Sequence, residues 1–456
     1  MATDCIAQLQ FKGDGFRKPV IAAFDLAHAS SDGGAVLLKA LDGRLGLTAR
    51  LAACLTDPRQ PGKVQHSVLD LLRQRVFGLA LGYADCNDAA RVADDPIHKL
   101  LLERDPLSGA ALGSQPTLSR FENTVRRGDL YALAETVGDT VIAIHRRRLG
   151  RRARRITLDL DTTEDPTHGQ QEFAFFNGYY GHWCYLPLVA TATFNAERQQ
   201  YVVAALLRPG TGAPSRTAIA LLRRLLPKLR TAFPRARLRV RLDAGFAGEA
   251  LLAFLESEGC EYLVAVQGNA RLRKRVRRLQ GCARRLSRER GRPVRLFRAT
   301  RYQARRWRQP RRVIMKAEVV WHPGRPPKNN PRFVVTNLPA RPATVYRLYC
   351  GRGVVENRLK ELHLGLALDR TSCSRFRANG FRVVLTTAAF VLFQELQRRA
   401  QHTACAEAQV WTLRERLLKL AVWVERSVRR IVLHLPTAFP WRSSWQHLAT
   451  ALGATP

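Results

Sequence analysis

Apolar residues change their period along this chain, and each change predicts a different kind of structure. Up to about residue 60 no period is sustained. Gly, Asp and Pro punctuate the chain at SSDGG and DPRQPGK, which predicts a loosely structured start. From Ser67 the residues Leu69, Leu72, Val76, Leu79 and Ala80 recur at helical spacing, with Ser67 and Asp70 as a start signal. A second helical block follows SQPT. Pro116 blocks its extension backwards, Thr117 is a candidate cap, and Phe121, Val125, Leu130 and Leu133 supply its apolar positions.

Beyond residue 150 the pattern becomes that of strands. ITLDLD, YLPLVATATF, YVVAALL, LRVRLD and YLVAVQ are short runs rich in β-branched residues and bounded by turn residues. Helical stretches at Ser215–Thr231 and Gly248–Gly259 separate the last three. This order predicts an α/β fold, a mixed sheet with flanking helices. After Gln267 the order breaks into a dense basic stretch, Arg271–Arg312, followed by strand-like VIMKAEVVW and RFVVTNL. Residues 268–343 therefore read as a β-rich basic insertion. Helices resume near Thr344. FRVVLTTAAFVLFQELQRRA and TLRERLLKLAVWVERSVRRIVLHL each show an apolar face and an Arg-rich opposite face. The expected division is a mainly helical region 1–150, an α/β domain 151–385 that contains the insertion, and a helical region 386–456.

Charge changes the picture. The 75 Lys+Arg against 37 Asp+Glu leave a net charge of +38 over 456 residues. Such a field attracts phosphate backbones and makes binding salt-dependent. The cations run from Arg17 to Arg442 without a confined tail, which favours a broad nucleic-acid footprint. A ribosome- or membrane-surface protein is the alternative on charge alone. Short helices ending in the run Arg146–Arg155 make residues 60–150 a candidate DNA-binding module; the alternative is that they only pack on the core. Tyr302 and Trp307, interleaved with Arg, point the insertion towards DNA. The nine Cys residues include no C-x-x-C pair, and Cys184, Cys260 and Cys350 lie in or beside apolar stretches, as small buried thiols do. MATDCIAQLQFKGDG lacks the apolar core of a signal peptide. With no run of about eighteen apolar residues, no membrane span is expected.

Three acids carry the candidate chemistry. Asp161 in LDLDTTEDP and Asp243 in RVRLDAGFAG each close a strand-like run. Glu356 lies in YCGRGVVENRLKE on a predicted helix, with Tyr349 and Arg352 on the same face and Lys360 and His363 extending it. Carboxylates from separate elements that converge at a sheet edge suit two Mg2+ ions, which take oxygen ligands and serve phosphodiester chemistry. Asp159 would face the same side of the strand as Asp161; Thr162 and Thr163 favour Asp161. Glu164 and Asp165 fall in a turn with Pro166. In FFNGYYGHWCYLP, the aromatics and His182 either stack on an unpaired base or fold into the core. A zinc reading of His168, His182 and Cys184 lacks a fourth ligand at the usual spacing.

The chain resembles bacterial DDE transposases of the insertion-sequence 1380 family, within the wider insertion-sequence 4 group. The resemblance runs through SDGG at Ser31–Gly34, SQPTLSRFEN at Ser114–Asn123, the block Leu158–Leu188, LDAGFA at Leu242–Ala247 and the Tyr-Arg-Glu segment. It implies an RNase H-like core with a β-rich insertion between the second Asp and the Glu. It implies that Asp161, Asp243 and Glu356 are the metal ligands, for two Mg2+ that Mn2+ can replace. It implies that Tyr349 and Arg352 grip DNA phosphate near the cleaved end. The wider group's signature expects Lys where this chain has His363, and Lys360 one turn earlier is the candidate substitute. The activity implied is cleavage and strand transfer at terminal inverted repeats by a homodimer that synapses two double-stranded ends, in the bacterial cytoplasm at the nucleoid. The rivals are a catalytically silent DNA-binding protein on the same scaffold, an RNase H-like nuclease that cuts without joining, and an RNA-binding protein.

Overall fold

The structure, a computed structural model, describes residues 8–11 and 15–455. Met1–Ala7, which carry part of the signal-peptide argument, lie outside them. Two compact units form, and neither is one stretch of sequence. One unit comprises the residues up to Arg44, Arg59–Ser119 and the residues from Glu395; the other comprises Leu45–Pro58 and Arg120–Gln394.

The first unit opens with a hairpin of β1 (Leu9–Phe11) and β2 (Val20–Ala22), followed by β3 (Ala29–Ser30). The loose start expected up to residue 60 is corrected here. Val36–Leu45 and, in the second unit, Leu47–Ala52 are helices, because Leu37, Leu38, Leu41, Leu47 and Leu51 are all buried apolar anchors. The SDGG segment is a buried junction. Gly33 donates its N–H to the Leu420 carbonyl at 2.8 Å, and a side chain on Gly34 would collide with the Leu417 carbonyl. Asp32 is fully buried beside them. It accepts from Tyr83 Oη at 2.8 Å and Lys419 Nζ at 2.7 Å, and His98 Nε2 lies 2.8 Å away. Ser67 and Asp70 form a capping box at the head of the helix Val68–Leu81, as expected. The second helical block begins at Gln115, two residues before the expected cap, with Pro116 inside its first turn, where no N–H is needed.

In the second unit the predicted strands assemble into one nine-stranded sheet. Its members are β4 (Arg155–Thr162), β8 (Leu188–Phe194), β9 (Tyr201–Leu206), β10 (Arg237–Leu242), β11 (Glu261–Val266), β12 (Val294–Tyr302), β13 (Arg311–His322), β14 (Arg325–Asn329) and β15 (Arg332–Thr336). The intervening β5 (Asp165–Pro166), β6 (Phe175–Asn177) and β7 (His182–Tyr185) form a small separate sheet. The order across the main sheet is β12-β13-β15-β11-β10-β4-β8-β9, with β14 paired to β13. β4 runs parallel to β10 and antiparallel to β8, and β10 runs parallel to β11. The centre is buried on both faces, so β4 reads as an almost continuous buried run. The helices Pro214–Ala232 and Glu249–Ser257 cross between β9, β10 and β11, near the expected positions. The result is a mixed α/β fold with a large mixed sheet.

The insertion opens with the helix Ala270–Arg290, and its strands β13 and β15 extend the main sheet rather than standing apart. Tyr302 and Trp307, expected on a DNA-facing surface, are not surface residues. Both are buried, their rings pack edge to face, and the guanidinium of Arg311 lies over Trp307. Among the three thiols singled out by their apolar surroundings, Cys184 and Cys260 are buried and Cys350 is exposed. The helix expected across TLRERLLKLAVWVERSVRRIVLHL is also corrected. After a short helix at Val410–Leu413 and a π-turn, the chain forms β16 (Val422–Arg426) and β17 (Ile431–His434). Val422 and Val424 are buried while Trp423 and Glu425 are exposed, a period of two that outweighs the helical pattern before it. Phe376–Arg399 is long and apolar enough to cross a membrane by composition, but 89% of its apolar window is buried inside the protein.

One charge sits in the middle of this sheet. Asp159, fully buried on β4, takes two 2.6 Å bonds from Arg241 of β10 and one of 2.8 Å from Gln200 Nε2. Removing one partner leaves a buried charge unanswered. Asp159→Ala is expected to lower unfolding free energy by about 3–5 kcal/mol. Replacing both partners (Asp159→Leu with Arg241→Met) recovers a large part of it. Urea unfolding followed by circular dichroism measures both.

Candidate active site

Register brings the first two acids together. In the parallel pair of β4 and β10, Leu160 is level with Leu242. Asp161 and Asp243 are the residues that follow this last registered pair, Asp161 still within β4 and Asp243 just past the end of β10. Asp161 is buried, whereas Asp243 is half-buried and begins the turn Ala244–Phe246, its Oδ1 accepting from Gly245 N–H at 2.9 Å. Glu356 is exposed, and Arg352 links it to the strand ends. Nη2 of Arg352 lies 2.6 Å from Asp161 Oδ1, and Nη1 lies 4.0 Å from Glu356 Oε1.

These neighbours set the charge state of Asp161. Burial raises its carboxyl to about 6; Arg352 opposes the rise, while Asp243 and Glu356 add to it. Both other acids are therefore close enough to be felt. Tyr349 packs against the apolar cluster of Leu263, Ile314, Val334, Leu338 and Val345. Burial raises its hydroxyl, Arg352 opposes, and Asp243 and Asp161 add to the rise. The tyrosine thus stands beside the same acids.

The Glu segment is not one continuous helix. An α-helix covers Pro342–Cys350, a 3-10 turn Gly351–Gly353, a second α-helix Val354–Lys360 and a π-turn Glu361–Gly365. The single face expected for Tyr349, Arg352, Glu356, Lys360 and His363 is broken accordingly. The break has a packing cause. Arg241 donates to the Leu348 carbonyl at 2.9 Å, and its guanidinium occupies the space a side chain on Gly351 would need. Lys360 is exposed. His363 turns the other way, with Nε2 2.8 Å from Thr163 Oγ1 and Nδ1 3.4 Å from Asp369. It positions the chain just after Asp161.

The block after Asp161 divides between core and surface. Cys184 and Tyr185 are buried, whereas Phe175, Phe176, Tyr179 and Trp183 are exposed on the β6–β7 hairpin. Tyr180, raised to about 12 chiefly by burial, also senses Glu164 and Asp161. His182 Nε2 lies 3.4 Å from Glu164. An apolar cavity of about 1020 Å3, between Arg127–Asp139, β9 and the helix Pro214–Ala232, is lined by none of the three acids.

Sequence reasoning missed Arg241, which holds both Asp159 and the Leu348 carbonyl. A signal existed. RLRVRL places Arg237, Arg239 and Arg241 at alternate positions of a buried strand, which demands acidic partners, and Glu261 answers Arg239 at 2.8 Å.

The three acids offer the oxygen donors that Mg2+ takes. They come from separate elements, with a cation, the Arg352 guanidinium, lying between two of them. With the side chains as they stand, no group of three or more His, Cys, Asp and Glu among the described residues is placed to hold a metal ion. Asp161 is given to Arg352 instead.

Residues 12–456 match the family described as Transposase DDE domain group 1. No curated protein matches the chain.

Asp165 provides a test of the ground beneath this site. It is fully buried, both carboxyl oxygens contact Thr371 Oγ1 at 3.0 and 2.9 Å, and burial raises it to about 8. Between pH 4 and 8 the folded chain holds a proton that the unfolded chain has lost. Stability from this group therefore falls as pH rises, by up to about 1.4 kcal/mol per pH unit. Asp165→Asn is expected to flatten that slope, measured by urea unfolding from pH 5 to 8.

Proposed function

This chain belongs to the DDE transposase family, and on that premise we propose that it binds the inverted-repeat ends of an insertion sequence, cuts there and joins the freed ends to target DNA. The observation that carries the proposal is that Asp161 and Asp243 directly follow the registered pair Leu160 and Leu242 of adjacent parallel strands, with Arg352 reaching from the Glu356 segment to Asp161. The order β9-β8-β4-β10-β11, antiparallel up to β4 and parallel beyond it, supports an RNase H-like core. The placement within the insertion-sequence 1380 family rests on SDGG, SQPTLSRFEN, the block Leu158–Leu188 and LDAGFA.

In this reading Asp161, Asp243 and Glu356 hold two Mg2+, or Mn2+, in the loaded enzyme. Bound there, the ions would activate the attacking oxygen and neutralise charge on the leaving one. Arg352 turns from Asp161 to the phosphate beside the scissile bond, where a guanidinium binds two oxygens at once. Tyr349 orients that phosphate from the apolar wall. Water attacks the phosphodiester and releases a 3′ hydroxyl; the hydroxyl then attacks a target phosphodiester, so one bond is exchanged for another and no external energy source is needed. Lys360, exposed one turn beyond Glu356, contacts the backbone further out. His363 orients Thr163. His182 and the exposed aromatics of β6–β7 face the end of the DNA.

Charge outside the site supports duplex binding. The helix Ala270–Arg290 exposes Arg271, Arg273, Lys274, Arg277, Arg278, Arg284, Arg285 and Arg288. Such a row tracks phosphates without reading sequence. A homodimer that synapses two ends, at work in the cytoplasm on the nucleoid, completes the reading.

Supercoiled donor DNA carrying both ends, with Mg2+, tests the chemistry. Asp161→Asn, Asp243→Asn and Glu356→Gln are each expected to lower cleavage on the order of 10^3-fold while end binding persists. Variants that cut as fast as the wild type would sink the site assignment. A wild type that cuts without joining favours a nuclease, and one that binds without cutting favours a silent scaffold. Separately, Arg277→Ala with Arg278→Ala is expected to reduce the slope of log affinity against log salt by about 1–2, whatever the duplex sequence, in fluorescence-anisotropy titrations.

A further inference from the structure

The β16–β17 hairpin of the first unit carries a second kind of basic surface. Its root is fixed. Val422 and Val424 are buried, Val422 and Trp423 pair with Ser30 and Ala29 of β3, and the Trp423 indole donates to the Ala27 carbonyl at 3.1 Å. Arg426 ties the stem sideways, donating to Asp105 and, at 3.2 Å, to Ser108 Oγ. Arg426 pairs with Ile431, and the Ser427 N–H donates to the Arg430 carbonyl at 2.9 Å. Only Val428 and Arg429 remain for the turn. Every residue from Glu425 to Ile431 is exposed, Val428 at 104%.

A charge run on a surface is ordinarily just solvated. This one differs because the stem is held at three places while the side chains of its tip, Val428–Arg430, are exposed. The one acid on the stem is turned aside. Glu425 pairs with His434 at 2.9 Å on the sheet face, where His434 stacks near Trp423. The tip is left cationic, with one apolar side chain.

We propose that this hairpin is a wing that puts Arg429 and Arg430 into the minor groove of the bound duplex and reads A·T-rich sequence there. The proposal rests on the DNA-binding reading above. Geometry favours the minor groove. Paired strands about 4.8 Å apart, with their side chains, overfill a groove about 6 Å wide. The backbone therefore stays at the lip and the arginines enter, with Val428 against the deoxyribose wall. A narrow A·T minor groove concentrates negative potential and draws arginine into it, whereas the guanine 2-amino group obstructs it. The wing would thus supply base discrimination that a phosphate-tracking helix lacks.

The test uses the full-length chain and three 40-bp duplexes: one with an A·T-rich block, one with that block as G·C, and one with it as inosine·C. The last presents the major groove much as G·C does but the minor groove of A·T. Wild type is expected to bind the A·T and inosine·C duplexes about tenfold more tightly than the G·C duplex, within the usual range for a groove contact. Arg429→Ala with Arg430→Ala should abolish that preference without shifting the melting temperature, since both side chains are exposed. Duplex binding with no inosine·C preference, or a preference that survives in the double variant, overturns the wing alone. Failure of the wild type to bind any of the duplexes overturns the DNA-binding reading with it. Equal affinity for an A-form RNA duplex, whose minor groove is wide and shallow, also overturns the wing.

Discussion

A carboxylate buried in the middle of a sheet has to be met by a cation, and the answer given by Arg241 organises the second unit. Its guanidinium takes both oxygens of Asp159 across the β4–β10 pair, reaches the Leu348 carbonyl and fills the space beside Gly351. One side chain thereby sets the two strands that end in Asp161 and Asp243 against the segment that carries Glu356. A similar device recurs one step along β4, where Arg352 meets Asp161. The difference is burial on the far side. Asp159 has no route to water, whereas Asp161 shares its surroundings with a half-buried Asp243 and an exposed Glu356. Electrostatics therefore separate a carboxylate committed to structure from one whose partner is exchangeable.

The chain's many arginines divide along the same line. Some are interior braces: Arg311 joins Glu249 and Glu256 from the insertion, Arg239 meets Glu261, and Arg414 reaches the Ala80 carbonyl. Others stand in solvent, as on the helix Ala270–Arg290 and at the tip of β16–β17. A buried guanidinium is held by paired acids or carbonyls because desolvation without partners is costly. An exposed row in which Arg and Lys far outnumber acids, as on the helix Ala270–Arg290 where Glu289 is the one acid, keeps its field for a polyanion. Net charge counts both groups alike, and only their burial tells them apart.

Legibility in the sequence followed the range of the interaction that produced each element. The five strands of the core, the helices between them and the Ser67–Asp70 capping box were readable because periodicity and capping act over a few residues. The mistakes fell where distant partners overrode that local pattern. Tyr302 and Trp307 carry the composition of a nucleic-acid surface, yet both are buried, with Arg311 over Trp307. The helix pattern ahead of Val422 continues in Arg and Val spacing, yet Ala29 and Ser30 recruit Val422 and Trp423 into a sheet. Near the start, Leu37 and Leu41 were hidden by the Gly and Asp residues preceding them, which serve a buried junction rather than a loop.

By itself the sequence determined the chemistry on offer: three acids in recognisable contexts, a large excess of cations, and alternating runs that must become a mixed sheet. These are properties of residue type and near-neighbour spacing, which survive without knowledge of the fold. The tertiary structure alone decided that Asp161 and Asp243 follow paired positions of neighbouring strands, that Arg352 faces inwards to an acid, that His363 holds Thr163, and that the tip of a basic hairpin is exposed. Each depends on strand register or on the approach of segments a hundred or more residues apart. Packing and hydrogen-bond satisfaction govern such approaches, and neither leaves a local mark in the chain.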